Sequence, residues 1–161
     1  MNPSPEAPSL LLYRRLDTSQ QQIRTLTLLA AEDDDEPIQC QMETVSLSTC
    51  HPFVALSYCW GSATDKFSIV YVNMTAVRVR QNLWQFLRSL RRVKGTIKIW
   101  VDYLCINQLD DLERGHQVKM MSKIYGKADA VIAWLGEGSP ELEQDIERFS
   151  NMVRKRRAAG R

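Results

Sequence analysis

Asp102, Cys105, Asn107, Gln108, Glu113, Arg114, His116 and Gln117 crowd a carboxylate, a thiol, amides, a guanidinium and an imidazole into one short stretch. Asp102 follows an apolar run and offers a carboxylate where a strand ends; capping its own loop through backbone N–H groups is the competing duty. Glu113 stands three residues after Asp110, the spacing of a capping box, and is otherwise placed to pair with Arg114 or a ligand. The amides of Asn107, Gln108 and Gln117 suit either backbone carbonyls or a ribose or amide group. Upstream, Ser57, Tyr58 and Trp60 close an apolar and aromatic run, where a base can stack on the rings unless core packing claims them. A thiol–imidazole pair of Cys105 and His116 lacks an orienting third group, and Cys105 at the end of an apolar run reads as a buried, inert thiol. His51, His116 and the cysteines have no metal-ligand spacing, and Gly61 alone makes no phosphate loop.

The elements that position these residues form a strand, loop, helix and strand. Ile97, Ile99, Trp100 and Val101 are a short β-prone run, too short for a helix. Asp110 caps a helix whose predicted apolar face is Leu112, Val118, Met121, Ile124 and Tyr125, and which Gly126 ends. Ala130 to Leu135 supply a second apolar strand. Two such strands joined by a crossover helix make a right-handed βαβ unit. Ligands of open α/β sheets sit where strands end and helices begin, here Asp102 to Gln117.

Before this unit, Ile23–Leu29 and Ile38–Leu47 read as an antiparallel hairpin around an acidic loop ending in Pro37. Ile38, Cys40 and Met42 alternate there with Gln39, Gln41 and Glu43. Phe53 to Trp60 is nearly continuous in apolar character and reads as a central strand covered on both faces, ended by Gly61. Phe67–Asn73 and Met74–Arg80 form a second hairpin. Asn82 is a predicted cap for a helix with Leu83, Phe86, Leu87 and Leu90 buried and Arg88, Arg91 and Arg92 in water. Ser139-Pro140 opens a last helix with an apolar face of Leu142, Ile146, Phe149 and Val153.

The 161 residues suit one domain with a real core, and 44% apolar with 25% charged content is that of a globular protein. A net charge of +2 names no partner. The acidic run Glu32–Glu36 and the basic stretch Arg78–Lys98 read as solvated faces and turns, not as a nucleic-acid surface. Four cysteines without a C-x-x-C pair point to a reducing compartment. No apolar run approaches the roughly 20 residues of a membrane span, and the N-terminus lacks a signal-peptide layout. The expected location is cytoplasmic.

Three motifs stand in order: ALSYCWG (Ala55–Gly61), IWVDYLCINQLDDLERGHQV (Ile99–Val118) and M-x-x-IYGKADAVIAWLG (Met121–Gly136). Together they closely resemble the fungal heterokaryon-incompatibility (HET) domain, over about Leu10 to Gly136. The resemblance implies a fold similar to Toll/interleukin-1 receptor (TIR) domains, an α/β, flavodoxin-like parallel sheet flanked by helices, here with antiparallel hairpin additions. It implies a role in nonself recognition and programmed cell death. Through TIR relatives that cleave NAD, it also implies NAD as a possible substrate, with no bound cofactor. Cleaving the nicotinamide–ribose bond develops oxocarbenium character on the ribose, which a carboxylate stabilises.

The family's strand ending in WLG is followed by an R-x-W-x-x-Q-E type motif whose glutamate resembles the catalytic one of TIR NAD hydrolases. After Gly136 this chain has Glu141, Glu143, Asp145 and Glu147 in a different pattern. The catalytic residue is therefore unassigned, with Asp102 and Glu113 the best remaining acids and Ser57, Tyr58, Trp60, Asn107, Gln108, Arg114 and Gln117 the ligand-binding candidates. The expected organisation is a lead-in (1–9), a HET-type domain (10–153) that is either a natural short form or truncated on its C-terminal side, and a basic tail (154–161). Protein partners or self-association are expected, and a non-catalytic interaction module is the alternative to an NAD hydrolase.

Overall fold

A computed structural model describes residues 12–61, 66–91 and 95–136. The lead-in, Arg92, the last helix and the basic tail lie outside the described residues. Strands β1 (Gln22–Leu28) and β2 (Gln39–Ser46) form the expected antiparallel hairpin, with Gln22 opposite Ser46 and Leu28 opposite Cys40. Ile38 and Cys40 are buried while Gln39 and Gln41 face water, as the alternation requires. Strands β4 (Phe67–Val72) and β5 (Thr75–Arg80) form the second hairpin. Asn73 and Met74 both take positive φ, 47° and 64°, the requirement of a two-residue primed turn.

Strand β3 (Val54–Tyr58) lies between β6 (Ile97–Trp100) and β7 (Ala130–Trp134), parallel to both. The seven strands run β5-β4-β2-β1-β6-β3-β7 in one mixed sheet. Parallel pairing is confined to β6–β3–β7 and a short contact of β2 with β4, because the β1–β2 hairpin joins β6 antiparallel. The crossover therefore links β6 to β7 over the intervening β3. Val54 to Leu56 and Ile99 to Val101 are buried as expected, but the two-sided cover expected of β3 stops at Ser57, which is exposed, and β7 is an edge strand whose Val131 and Ala133 face solvent.

Helix α1 (Gln81–Arg91) buries Leu83, Phe86, Leu87 and Leu90, the expected stripe. Two expectations fail on it. Asn82 lies inside the helix, donating to the Cys59 carbonyl at 2.5 Å and accepting from Trp134 Nε1 at 2.8 Å. Arg91 is buried, donating to the carbonyls of Asp34, Glu36 and Pro37 at 2.9, 2.6 and 3.0 Å. The acidic loop turns its carbonyls inward and needs a donor there, so the last turn of α1 supplies one. Arg91→Ala should lose about 1.5–3 kcal/mol, the worth of hydrogen bonds to a charged group, read as a shifted urea midpoint.

A single turn, α2 (Asp102–Cys105), precedes the crossover helix α3 (Asp111–Lys127). Asp110 is the N-cap, its carboxylate accepting from the N–H groups of Leu112 and Glu113 at 3.0 Å. The buried stripe of α3 is Gln117, Met120 and Ile124, whereas Leu112 and Val118 are exposed. Helix phase is set by polar ties: Gln117 donates to the Gln22 carbonyl at 2.9 Å and Glu113 reaches Arg24 of β1. The helix also runs past Gly126 to a C-cap at Ala128.

The sheet folds over on itself. Tyr103 Oη donates to the Arg78 carbonyl of edge strand β5 at 3.2 Å, occupying part of that edge. Phe86 of α1 stacks on Trp134 of β7, with centroids 5.1 Å apart. These contacts bring β5 and α1 onto the carboxyl ends of β6 and β7.

Candidate functional site

Asp102 leads off α2 immediately beyond β6. Its Oδ2 accepts from Trp60 Nε1 at 3.1 Å and its Oδ1 from its neighbour's amide, Tyr103, at 2.7 Å. Trp60 meets Tyr103 edge to face, with centroids 5.4 Å apart. Trp60 is 41% exposed, so it shields the acid without belonging to the core. Tyr58 and Asp102 are half-buried, and Ser57 is exposed on β3. Gln108 donates to the Asp102 carbonyl at 3.0 Å and to the Ile106 carbonyl at 3.3 Å, fastening the loop after α2. Tyr58, Trp60, Asp102 and Tyr103 thus assemble one aromatic-walled acid at the carboxyl edge of the parallel strands.

Burial pushes the Asp102 carboxyl above the usual aspartate range, against the Trp60 and Tyr103 hydrogen bonds that pull it down. The Tyr58 hydroxyl is pushed up by burial and then by Asp102, with Arg80 opposing. Burial raises Tyr103 as well, with Arg80 and Arg78 opposing. A carboxyl raised on folding binds its proton more tightly in the native state. Its contribution to stability is therefore full below the unfolded value, 3.8, and falls as pH rises through the window up to the raised folded value. Asp102→Asn keeps an acceptor for Trp60 and removes this penalty. The variant should gain on the parent as pH rises through that window, in urea melts run at a series of pH values.

The other acid sits elsewhere. Glu113 Oε1 and Oε2 accept from Arg24 Nη1 and Nη2 at 2.5 and 2.9 Å, and Oε1 also accepts the Asn107 amide at 2.8 Å. The capping box is thus only half made, since the Asp110 amide turns to the Asn107 carbonyl. Arg114 pairs with Asp111 and donates to the Gln108 carbonyl at 3.3 Å. Asn107 accepts from the Leu109 amide, and Gln117 is buried against β1. Cys105 is wholly buried, its thiol pushed up to about 12 by burial, which suits an inert thiol. No group of three or more His, Cys, Asp or Glu side chains able to hold a metal occurs among the described residues.

The family model described as "Heterokaryon incompatibility protein (HET)" matches residues 53–159. The chain belongs to the heterokaryon incompatibility family. The match begins just before β3 and takes in every strand and helix that builds the carboxyl edge. A curated relative, "Heterokaryon incompatibility protein 6, OR allele" of Neurospora crassa, is 32% identical over 142 residues, covering 81% of this chain and 21% of the relative. The chain thus spans about a fifth of that relative's length. No solved structure matches significantly.

Within this HET chain, sequence reasoning missed Arg24 and Tyr103. Arg24 shares its strand face with Leu26 and Leu28, a phase that marks it as buried. Tyr103 carried no local signal, because its role depends on β5 folding over the edge.

Proposed function

We propose that this chain is a HET-type signalling domain of fungal heterokaryon incompatibility and programmed cell death, and that its carboxyl edge binds a nucleotide of the NAD class. The observation that carries the reading is Asp102, a half-buried carboxylate beyond β6 held by Trp60 from beyond β3. The spatial order β6-β3-β7 repeats the 2-1-3 start of a flavodoxin-like sheet, which supports the TIR-like reading and favours ligands at the β3/β7 switch point. A carboxylate has about four acceptor sites, so two remain for ribose hydroxyls beside Trp60 and Tyr103. Trp60 and Tyr58 offer ring surface to a base, while Ser57 and Gln108 border the edge. In this account Glu113, Arg114, Asn107 and Gln117 position the loop and helix.

NAD serves here as ligand or substrate of a cytoplasmic domain, not as a bound cofactor. Cleavage by this chain is slow or absent, because among the described residues Asp102 stands alone at the edge while Glu113 is committed to Arg24. That commitment also favours the second reading, a non-catalytic module that signals by self-association. Among the described residues no helix is long and apolar enough to cross a membrane.

Expression in a fungal host tests the proposal. The parent chain should trigger cell death and Asp102→Ala should not, at equal protein level, while purified protein releases little nicotinamide from NAD. Death undiminished by Asp102→Ala would leave self-association without a nucleotide as the better account.

A further inference from the structure

Strand β7 has one covered face and one open face. Ala130 and Trp134 are buried, and Trp134 stacks on Phe86 of α1. Val131, Ala133 and Leu135 alternate with them and are exposed, Val131 by 48% and Leu135 by 95%. Cross-strand partners place the open face. Trp100 pairs with Ala55 and Ala55 with Val131, so all three lie on one side of the sheet. Helix α3 sits on that side, its Tyr125 ring meeting Trp100 edge to face and its hydroxyl donating to the Leu56 carbonyl at 3.1 Å. Among the described residues, α3 thus covers β6 and β3 and leaves β7 open. The flank of α3 that Tyr125 shares with Met121 and Val118 is half-buried at Met121 and exposed at Val118.

An apolar strip of this kind, with no charge and no proline from Ala130 to Leu135, lacks the usual protection of a solvent edge. The family match runs from residue 53 to residue 159, so the domain continues well past β7. Gly136, at φ 115°, turns the chain, and Ser139-Pro140 then opens the sequence stripe Leu142, Ile146, Phe149 and Val153. As a helix that stripe is about 16 Å long, against about 13 Å for Val131 to Leu135 along the strand. We propose that residues 139–153 of the same chain form the next helix of the domain, seated on Val131, Ala133 and Leu135 beside the Val118–Tyr125 flank of α3. Glu143 and Glu147, opposite the stripe, stay in water in that seat. The seat is independent of the nucleotide site. It takes from a self-associating module the apolar face that would otherwise be offered to a second copy.

Hydrogen exchange of the full 161-residue chain, read by mass spectrometry, tests the seat. A segment of this length is marginal as an isolated helix in water, so protection of its amides reports docking. Amides of residues 142–153 should exchange at least about tenfold more slowly than an unstructured chain, and Val131→Asp or Leu135→Asp should return them to within about twofold of it, with α1 and β1 unchanged. Leu135 is 95% exposed, so Leu135→Asp keeps the test where Val131→Asp fails to fold. Phe149→Asp, on the other side of the contact, should release the same amides. Unprotected amides in the parent overturn the proposal, as does protection that survives both β7 variants in folded protein. Protection that is lost on dilution, with a dimer in sedimentation, gives the face to a second copy and overturns it too.

Discussion

Glu113→Ala should lose about 3–5 kcal/mol of folding stability, the usual consequence of stripping one partner from a buried ion pair. The Arg24 and Glu113 side chains are 1% and 8% exposed and meet fork to fork. Arg24 also donates to the carbonyls of Cys105 at 3.1 Å and Arg14 at 2.5 Å, and its guanidinium lies 4.9 Å from the Tyr13 ring centroid. One side-chain pair therefore ties β1, the chain before it, the turn of α2 and the first turn of α3. Without Glu113, a guanidinium stays buried with its charge uncompensated and the Asn107 amide loses its acceptor. Arg24→Ala should lose a similar amount. The double variant Arg24→Met/Glu113→Leu should recover most of it, because the two losses share one interaction and do not add. Urea unfolding of the four proteins measures this. A Glu113→Ala protein with the parent's midpoint and no ligand binding would move Glu113 from scaffold to site.

What could be read from the sequence follows from how local each feature is. The hairpins, the stripe of α1, the Asp110 cap and the three strands β3, β6 and β7 are set by alternation, turn chemistry and capping, all of which act within a few residues. The acid at the end of β6 was legible for the same reason. Features set by distant partners were not. Leu112 and Val118 gave α3 an apolar face on paper, but Arg24 and Gln22, far back in the chain, turn its polar Glu113 and Gln117 inward. Arg91 read as wet because the loop carbonyls that bury it lie more than fifty residues upstream. The mixed character of the sheet had the same origin, since β1 could be paired with β2 by its turn but not with β6. Likewise, nothing near Asp102 in sequence announces Trp60, or the Arg78 carbonyl that holds Tyr103.

The second large effect is on binding. Among the described residues Asp102 supplies the carboxylate at the carboxyl edge in this account, so Asp102→Ala should weaken NAD by roughly tenfold to a hundredfold, the equivalent of about 1.5–3 kcal/mol for a charge-assisted bond. The fold should survive, because the acid is raised by burial and its removal relieves a desolvated charge. Calorimetric titration of the purified chain with NAD, parent beside Asp102→Ala at matched melting temperature, is the direct measurement. A saturable isotherm for the parent that collapses in Asp102→Ala is the expected result. Identical isotherms, or no heat from either protein, would contradict a nucleotide site at this edge.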